Sequence, residues 1–502
     1  MSGGIRSALL VVALAALCAH ASAQNFTLPE IIASNMVLQR APARARLWGW
    51  GYPSSVVRAR ISSGADYADV SATVDSAGAW ELSLPPQDDT RSVYSIEIFS
   101  DESKVAELDN ILYGDVWLCS GQSNMEMTTA MVYDGPEEVE DSANYPDVRV
   151  FSVLRNAQSS PVETFAHRGA AAWSESSPSA IGGANYDYFS ATCYFFGREN
   201  LVRTGIPQGL VSSSWGGTIV EAWMRPEAIA TCARRPQLDH VAKKDDVAGF
   251  ASSSVDVNAD PNDHSALWNG MIHPIRKYTF IGAAWYQGES NASDPEGYAC
   301  LFPAMISDWR IVLESPLFFY FVQLAPYAGS GRLPALRQAQ TAALALPDTG
   351  MAVTIELWDP TSPHGEIHPR GKQPVGLRLS LNALRQYYAI DVDPLGPTPD
   401  GAPRCNGTVC EILFASLTAP TVDLVGADQC TECCTATPFQ TQSRETNSWT
   451  DAAVEGVAGT TVTIRATTED PIAVRYAWED IPQCVVMDMQ GLPAAPFAVY
   501  AQ

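Results

Sequence analysis

The stretch DVWLCSGQSNMEM, from Asp115 to Met127, changes character in its middle. Val116 to Cys119 form an apolar run that reads as a short buried strand. Ser120 and Gly121 are turn formers, and from Asn124 the pattern reads as the opening of a helix. Ser123 therefore stands where a strand turns sharply into a helix. The first helical turn has free N–H groups and carries the positive end of the helix dipole, so a hydroxyl exposed there sits beside donors for a developing negative charge. Ser123 is either the cap of that helix or a nucleophile, and the rest of the chain has to decide between the two.

Working outward, the same strand–helix alternation continues from about residue 111 to 392. The apolar runs GLVSSSW, FIGAAWY, LFFYFVQLA and GMAVTIEL are separated by longer helical patterns such as GKQPVGLRLSLNALRQYY. That alternation predicts an α/β fold: a three-layer α/β/α core with a parallel sheet covered by helices on both faces. The flanks differ. Residues 24–110 carry short alternating segments (VVRARISS, WELSLPP, YSIEIFS) at regular intervals, which predict a small β-rich domain. Residues 393–502 return to short strand signals such as EILFASL and TVTIRATT, predicting a second β-rich domain.

The chain has 502 residues, enough for two or three domains. Its 46% hydrophobic and 17% charged residues are ordinary for a folded protein. A formal net charge of −25 argues against nucleic acid as a partner, because phosphate contacts need lysine and arginine. It equally disfavours anionic membrane surfaces. Arg6, an apolar run from Ala8 to Leu14 and the small-residue pattern Ala21-Ser22-Ala23 predict a signal peptide over 1–23, hence a secretory-pathway protein with no membrane insertion. Of the 11 cysteines, six follow residue 400. This predicts disulfides stapling the C-terminal domain, with a zinc site at Cys430 and Cys433 as the less favoured reading. Asn25, Asn291 and Asn406 each open an N-x-S/T glycosylation signal.

Open parallel sheets bind ligands at the carboxyl ends of their strands, so the residues after each strand are the ones to inspect. After the first strand comes Ser123. After GLVSSSW come Gly216 and Gly217, and after FIGAAWY come Gln287, Gly288 and Glu289. After GMAVTIEL comes WDPTSPHGEIHPRGK, with His364 and His368. A nucleophile, N–H donors, an amide and an imidazole meeting on one edge are the parts of an acyl-transfer site. His368 is the expected base and Ser123 the expected nucleophile. The expected oxyanion donors are the N–H of Ser123, the N–H of Gly216 or Gly217, and the Gln287 amide. The group that orients the imidazole is left between Glu366, two residues before it, and a backbone carbonyl of the loop. Trp215 and Trp285 are candidates for an apolar wall, and Gln122 and Arg337 join Trp215 as candidate substrate-binding residues.

With those residues assembled, the chain resembles the sialate O-acetylesterase family of SGNH-type hydrolases. The likeness is carried by GQSNMEM (Gly121 to Met127), SSSWGGTIVEAWM (Ser212 to Met224), WYQGESNA (Trp285 to Ala292) and GEIHPRGKQPVGLRL (Gly365 to Leu379). FSATCYFFGREN, LPALRQAQ and AVRYAW add to it. The resemblance implies an SGNH, flavodoxin-like core that hydrolyses O-acetyl esters on sialic acid through an acetyl-enzyme on Ser123, with no metal and no organic cofactor. It also implies a glycosylated protein that is secreted or lysosomal. Gly365 departs from the pattern, because many SGNH hydrolases carry the triad aspartate there. A sialic acid carboxylate calls for a cation, and Arg198, Arg225 and Arg337 lie in or near the motif blocks. Two other readings share these residues: an acetylesterase of polysaccharides such as acetylated xylan, and a carbohydrate-binding protein built on an inactive hydrolase core.

Overall fold

The computed structural model describes residues 26–165, 172–184, 186, 188–232, 259–329, 331–415, 421–426 and 437–501. Eleven strands belong to one sheet system. In chain order they are β1 (Val37–Gln39), β2 (Val56–Ser63), β3 (Asp66–Thr73), β4 (Tyr94–Ser100), β5 (Ser103–Gly121), β6 (Val148–Ser152), β7 (Ser174–Glu175), β8 (Gln208–Ser214), β9 (Gly282–Tyr286), β10 (Phe318–Gln323) and β11 (Thr349–Val353). The core order is β11-β10-β9-β5-β8-β6-β7. All its pairings are parallel except the last, between β6 and β7.

β5 is the hinge of this arrangement. Its first half pairs antiparallel with β4, within the N-terminal β region that also contains β2 and β3. Its second half lies between β8 and β9 in the parallel sheet. One continuous strand thus crosses the expected 110/111 boundary, and it delivers the chain to Ser123 at the carboxyl edge. The chain builds β6 and β8 on one side of β5 and β9 to β11 on the other, so the strand order reverses at β5. That is where an open α/β sheet leaves a crevice.

Helices α1 (Ser123–Glu126), α2 (Ala191–Thr204), α3 (Pro295–Val312) and α4 (Lys372–Gln386) account for the site. Side chains alternate faces along a strand. Trp117 of β5 faces α2, with its ring 5.0 Å from Phe196 and 5.9 Å from Tyr387 just past α4. Trp285 of β9 has the opposite parity in the shared register and packs at 6.4 Å from Phe302 and 5.8 Å from Trp309, both on α3. The predicted three layers follow. Trp285 is fully buried in this packing, so it belongs to the core rather than to a substrate wall.

Disulfides Cys119–Cys193, Cys232–Cys300 and Cys405–Cys410 are formed, and Cys484 is also disulfide-bonded. The first of them ties β5 to α2. Cys430, Cys433, Cys434, Asn25 and the predicted signal peptide lie outside the described residues. The region from Thr398 to Tyr500 is built of strands. It docks on the core through Arg337, whose Nη1 and Nη2 donate to the carbonyls of Glu479 and Asp480 while its Nε donates to that of Leu324. Arg337 is fully buried. It is a structural pin between the core and the C-terminal β region, which removes it from the substrate-binding candidates. Among the described residues no helix is long and apolar enough to cross a membrane.

Candidate active site

Ser123 opens α1 with its backbone N–H unpaired among the described residues, as expected for the first position of a helix. Its turn depends on Gly121, which has φ +139° and lies so close to β9 that a Cβ there would be 2.2 Å from the Tyr286 carbonyl oxygen. Ser123 Oγ is 2.8 Å from His368 Nε2. The His368 Nδ1 is in turn 2.8 Å from the carbonyl oxygen of His364. A carbonyl can only accept, so the ring proton sits on Nδ1 and the Nε2 lone pair faces the serine hydroxyl. Burial pulls the His368 pKa down to about 4, against the raising effect of that carbonyl. The imidazole is therefore neutral at neutral pH, which is the form able to accept a proton.

Glu366 makes no hydrogen bond to the His368 ring. Its Oε2 accepts from Trp358 Nε1 at 3.2 Å, and the ring it was a candidate to orient is already held by a carbonyl. The loop that carries His368 is braced from within. Arg370 donates to both oxygens of Asp359 from its Nε, Nη2 and backbone N–H. Burial alone would raise the Asp359 pKa, but the Arg370 hydrogen bonds outweigh it and hold the carboxyl down at about 2. Ser362 Oγ donates to the His368 carbonyl at 2.7 Å, and the His368 N–H to that of Gly365 at 2.9 Å.

A buried polar bridge connects this loop to the serine turn. Asn124 Nδ2 donates to Glu289 Oε1 at 2.6 Å and to the Ile367 carbonyl at 2.9 Å. Lys372 Nζ, at the start of α4, donates to Asn124 Oδ1 and to the Pro369 carbonyl, both at 2.7 Å. Burial lowers the Lys372 pKa to about 7 and raises that of Glu289. Residues next to Ser123, next to His368 and after β9 are thereby locked into one network. Sequence reasoning missed the roles of Asn124 and Lys372, although both stand inside the motif blocks.

Two of the groups expected as oxyanion donors, the Gln287 amide and the Gly216 N–H, are occupied. The Gln287 amide is fully buried, and its Nε2 donates to the Thr218 carbonyl and to Asn291 Oδ1 while its Oε1 accepts from Tyr298. The Gly216 N–H donates to Glu126 Oε2 at 2.8 Å. The Ser123 N–H remains open, as does that of Gly217 in the adjoining turn. Gln122 is buried too, its Oε1 accepting from the N–H groups of Gly288 and Ser290, so it supports the neighbouring turn instead of facing a substrate. Asn291 corrects the glycosylation reading: its Nδ2 donates to Glu221 Oε2 at 3.0 Å and the residue is buried, which leaves no room for a glycan. Asn406 is exposed on a strand of the C-terminal region and stays a candidate.

Around this centre stands a group that no motif announced. Glu126, on α1, accepts from Arg155 Nε at 2.7 Å, and the Arg155 guanidinium lies 5.7 Å from the centroid of the Trp215 ring. Tyr186 packs edge-on to the His368 ring at 6.1 Å. Trp215 is half-buried beside Arg155 and stays a candidate for substrate contact. The signal for Arg155 was available: it follows the carboxyl end of β6 by three residues, on the edge where Ser123 sits. Arg198 and Arg225 are paired with Glu138 and Asp308 instead.

A family model described as "Carbohydrate esterase, sialic acid-specific acetylesterase" matches residues 113–380, the span from the middle of β5 into α4. The chain is 31% identical to a sialate O-acetylesterase of Mus musculus over 540 residues, covering 97% of both chains. It is 34% identical to that of Rattus norvegicus over 420 residues, covering 76% of this chain and 77% of the other. A solved carbohydrate acetylesterase from Xanthomonas citri superposes with a TM-score of 0.76 at 28% identity, over 95% of this chain and 99% of the other.

Proposed function

The chain belongs to the sialic acid-specific acetylesterase family of carbohydrate esterases, and on that premise we propose that it removes O-acetyl groups from sialic acids through an acetyl-enzyme on Ser123. The observation that carries the reading is the 2.8 Å contact between Ser123 Oγ and a neutral, correctly tautomeric His368 at the edge where the sheet order reverses. His368 Nε2 takes the serine proton as Oγ attacks the acetyl carbonyl carbon. The imidazolium that forms keeps its Nδ1–H on the His364 carbonyl, which is the service a triad carboxylate performs elsewhere. The oxyanion is stabilised by the Ser123 N–H at the start of α1. His368 then protonates the leaving sugar oxygen, the C–O bond breaks, and a water deprotonated by the same imidazole releases acetate and restores Ser123.

The open Ser123 N–H, a neutral base and the network behind them favour a working hydrolase over a binding protein with a dead core. The disulfides and the relatives fit a secretory-pathway protein. Within that route the reading extends to a secreted or lysosomal enzyme glycosylated at Asn406. The test is acetate release from O-acetylated sialic acids and from acetylated xylan, with Ser123→Ala beside the wild type. Release from sialic acids that is lost in the variant is the expected result. Release from xylan alone would keep the chemistry and move the substrate, and equal release by both proteins would remove Ser123 from the reaction.

A further inference from the structure

We propose that Arg155 is the carboxylate-binding residue of this site: its Nη1 and Nη2 receive the carboxylate of the sialic acid whose ester meets Ser123. The proposal rests on the substrate reading above and adds the residue that would recognise the anionic sugar.

The argument starts from charge. A protein with a formal net charge of −25 repels an anionic substrate at long range, so binding one requires a cation aimed at the place where the anion docks. The other candidate cations are all engaged. Arg198 pairs with Glu138, Arg225 with Asp308 and Arg370 with Asp359, Arg337 caps backbone carbonyls, and Lys372 is spent on Asn124 and Pro369. Arg155 differs. Of its five N–H donors one is used, Nε to Glu126, and its terminal nitrogens have no hydrogen-bond partner among the described residues. Its side chain is 17% exposed. A side chain that is mostly buried, with its terminal nitrogens accessible and unclaimed by any described residue, is a fork shaped to receive a planar anion.

Its placement fits. Glu126 Oε1 holds Nε, which fixes the plane of the guanidinium and turns the Nη1–Nη2 edge away from the pair. The Trp215 ring backs the guanidinium. The other oxygen of Glu126 accepts the Gly216 N–H, and a Cβ on Gly216 would lie 3.1 Å from that of Ser123. Glu126 thereby joins the cation to the Gly216 backbone, which packs beside Ser123, so the cation and the Ser123 hydroxyl belong to one edge of the site. Glu126 is a positioning residue in this scheme, and Arg155 is the group that touches the substrate.

The test compares an O-acetylated sialic acid with its carboxamide, in which a neutral group of the same shape replaces the carboxylate. The wild type is expected to prefer the acid in kcat/KM. Arg155→Gln should reduce that preference by about 10- to 100-fold, the value of a charge-assisted hydrogen-bonded pair, with most of the change in KM. Arg155→Lys, which keeps the charge and loses the fork, should fall between the two and serves if the glutamine variant does not fold. An acid-to-amide preference that stays at the wild-type value in either folded variant overturns the proposal, as does a wild type with no preference. A wild type that cleaves acetylated xylan and neither sialic substrate overturns the substrate reading itself, and the role of Arg155 with it.

Discussion

The two halves of the Ser123–His368 pair are held by different means. Ser123 sits on regular structure: a nineteen-residue strand, a glycine turn and a helix start, with a disulfide at Cys119 four residues before it. His368 sits on an irregular loop between β11 and α4, held by the Asp359–Arg370 ion pair, by Ser362 and by two backbone carbonyls. A nucleophile at a strand–helix junction gets its position from the sheet ladder. A base in a loop has to be positioned by charge and hydrogen bonds. The lesson is that changes which leave the fold intact should damage the histidine side before the serine side.

The largest effect breaks the comparison outright, because in the proposed mechanism the pair acts as one unit. Ser123→Ala, His368→Ala and the double variant should each lower kcat by about 10⁴-fold or more, with no further loss in the double. Steady-state rates on one O-acetylated sialic acid check this, and additive losses would mean that the two residues act in separate steps. Next comes the bridge between the two halves. Asn124→Ala removes the donor to the Ile367 carbonyl and the acceptor for Lys372. A loss of about 10²-fold in kcat, with KM nearly unchanged, is expected from a displacement of the base by about an ångström. Asp359→Asn acts on the loop alone and should cost about tenfold. Hydrogen exchange should then rise in residues 359–370 while the amides of β5 stay protected. Equal exchange in both regions would contradict the division drawn here.

How much of this was legible follows the same division. Core strands β5, β8, β9, β10 and β11, the long helix at Lys372–Gln386 and the placement of Ser123 and His368 on one edge came from periodicity and from the rule about strand ends. Those features are set by local pattern. Gln287 and Gly216 reach the expected edge but already have partners there, because a sequence tells which edge a polar group reaches but not which neighbour satisfies it. Gln287 is consumed by Thr218 and Asn291, Gly216 by Glu126, and Arg337 by the C-terminal region. Arg155 is not legible in the sequence because β6 is short and its apolar pattern is broken by Arg149, so no clear strand end announces the loop that carries it. β5 runs across the expected 110/111 boundary, and a strand shared by both regions has no linker to announce a border.

The smallest expected effect is the one that separates the two ways of orienting the base. Glu366 is the carboxylate nearest to His368 in sequence, yet its carboxylate accepts from Trp358. Glu366→Gln should therefore change kcat by less than about twofold, a surface-scale perturbation. The pH profile sharpens the point. In the proposed mechanism the active form carries a neutral imidazole, so kcat/KM is expected to be full above the His368 pKa of about 4 and lost as the pH falls through it. A carboxylate on Nδ1 would favour the imidazolium and move that limb upward, whereas a carbonyl leaves burial in control. Wild type and Glu366→Gln are thus expected to share one acid limb near pH 4. A limb near the ordinary histidine value in the wild type, moving downward in the variant, would show that Glu366 reaches the ring during turnover, and the loop would then be holding a triad instead of a dyad.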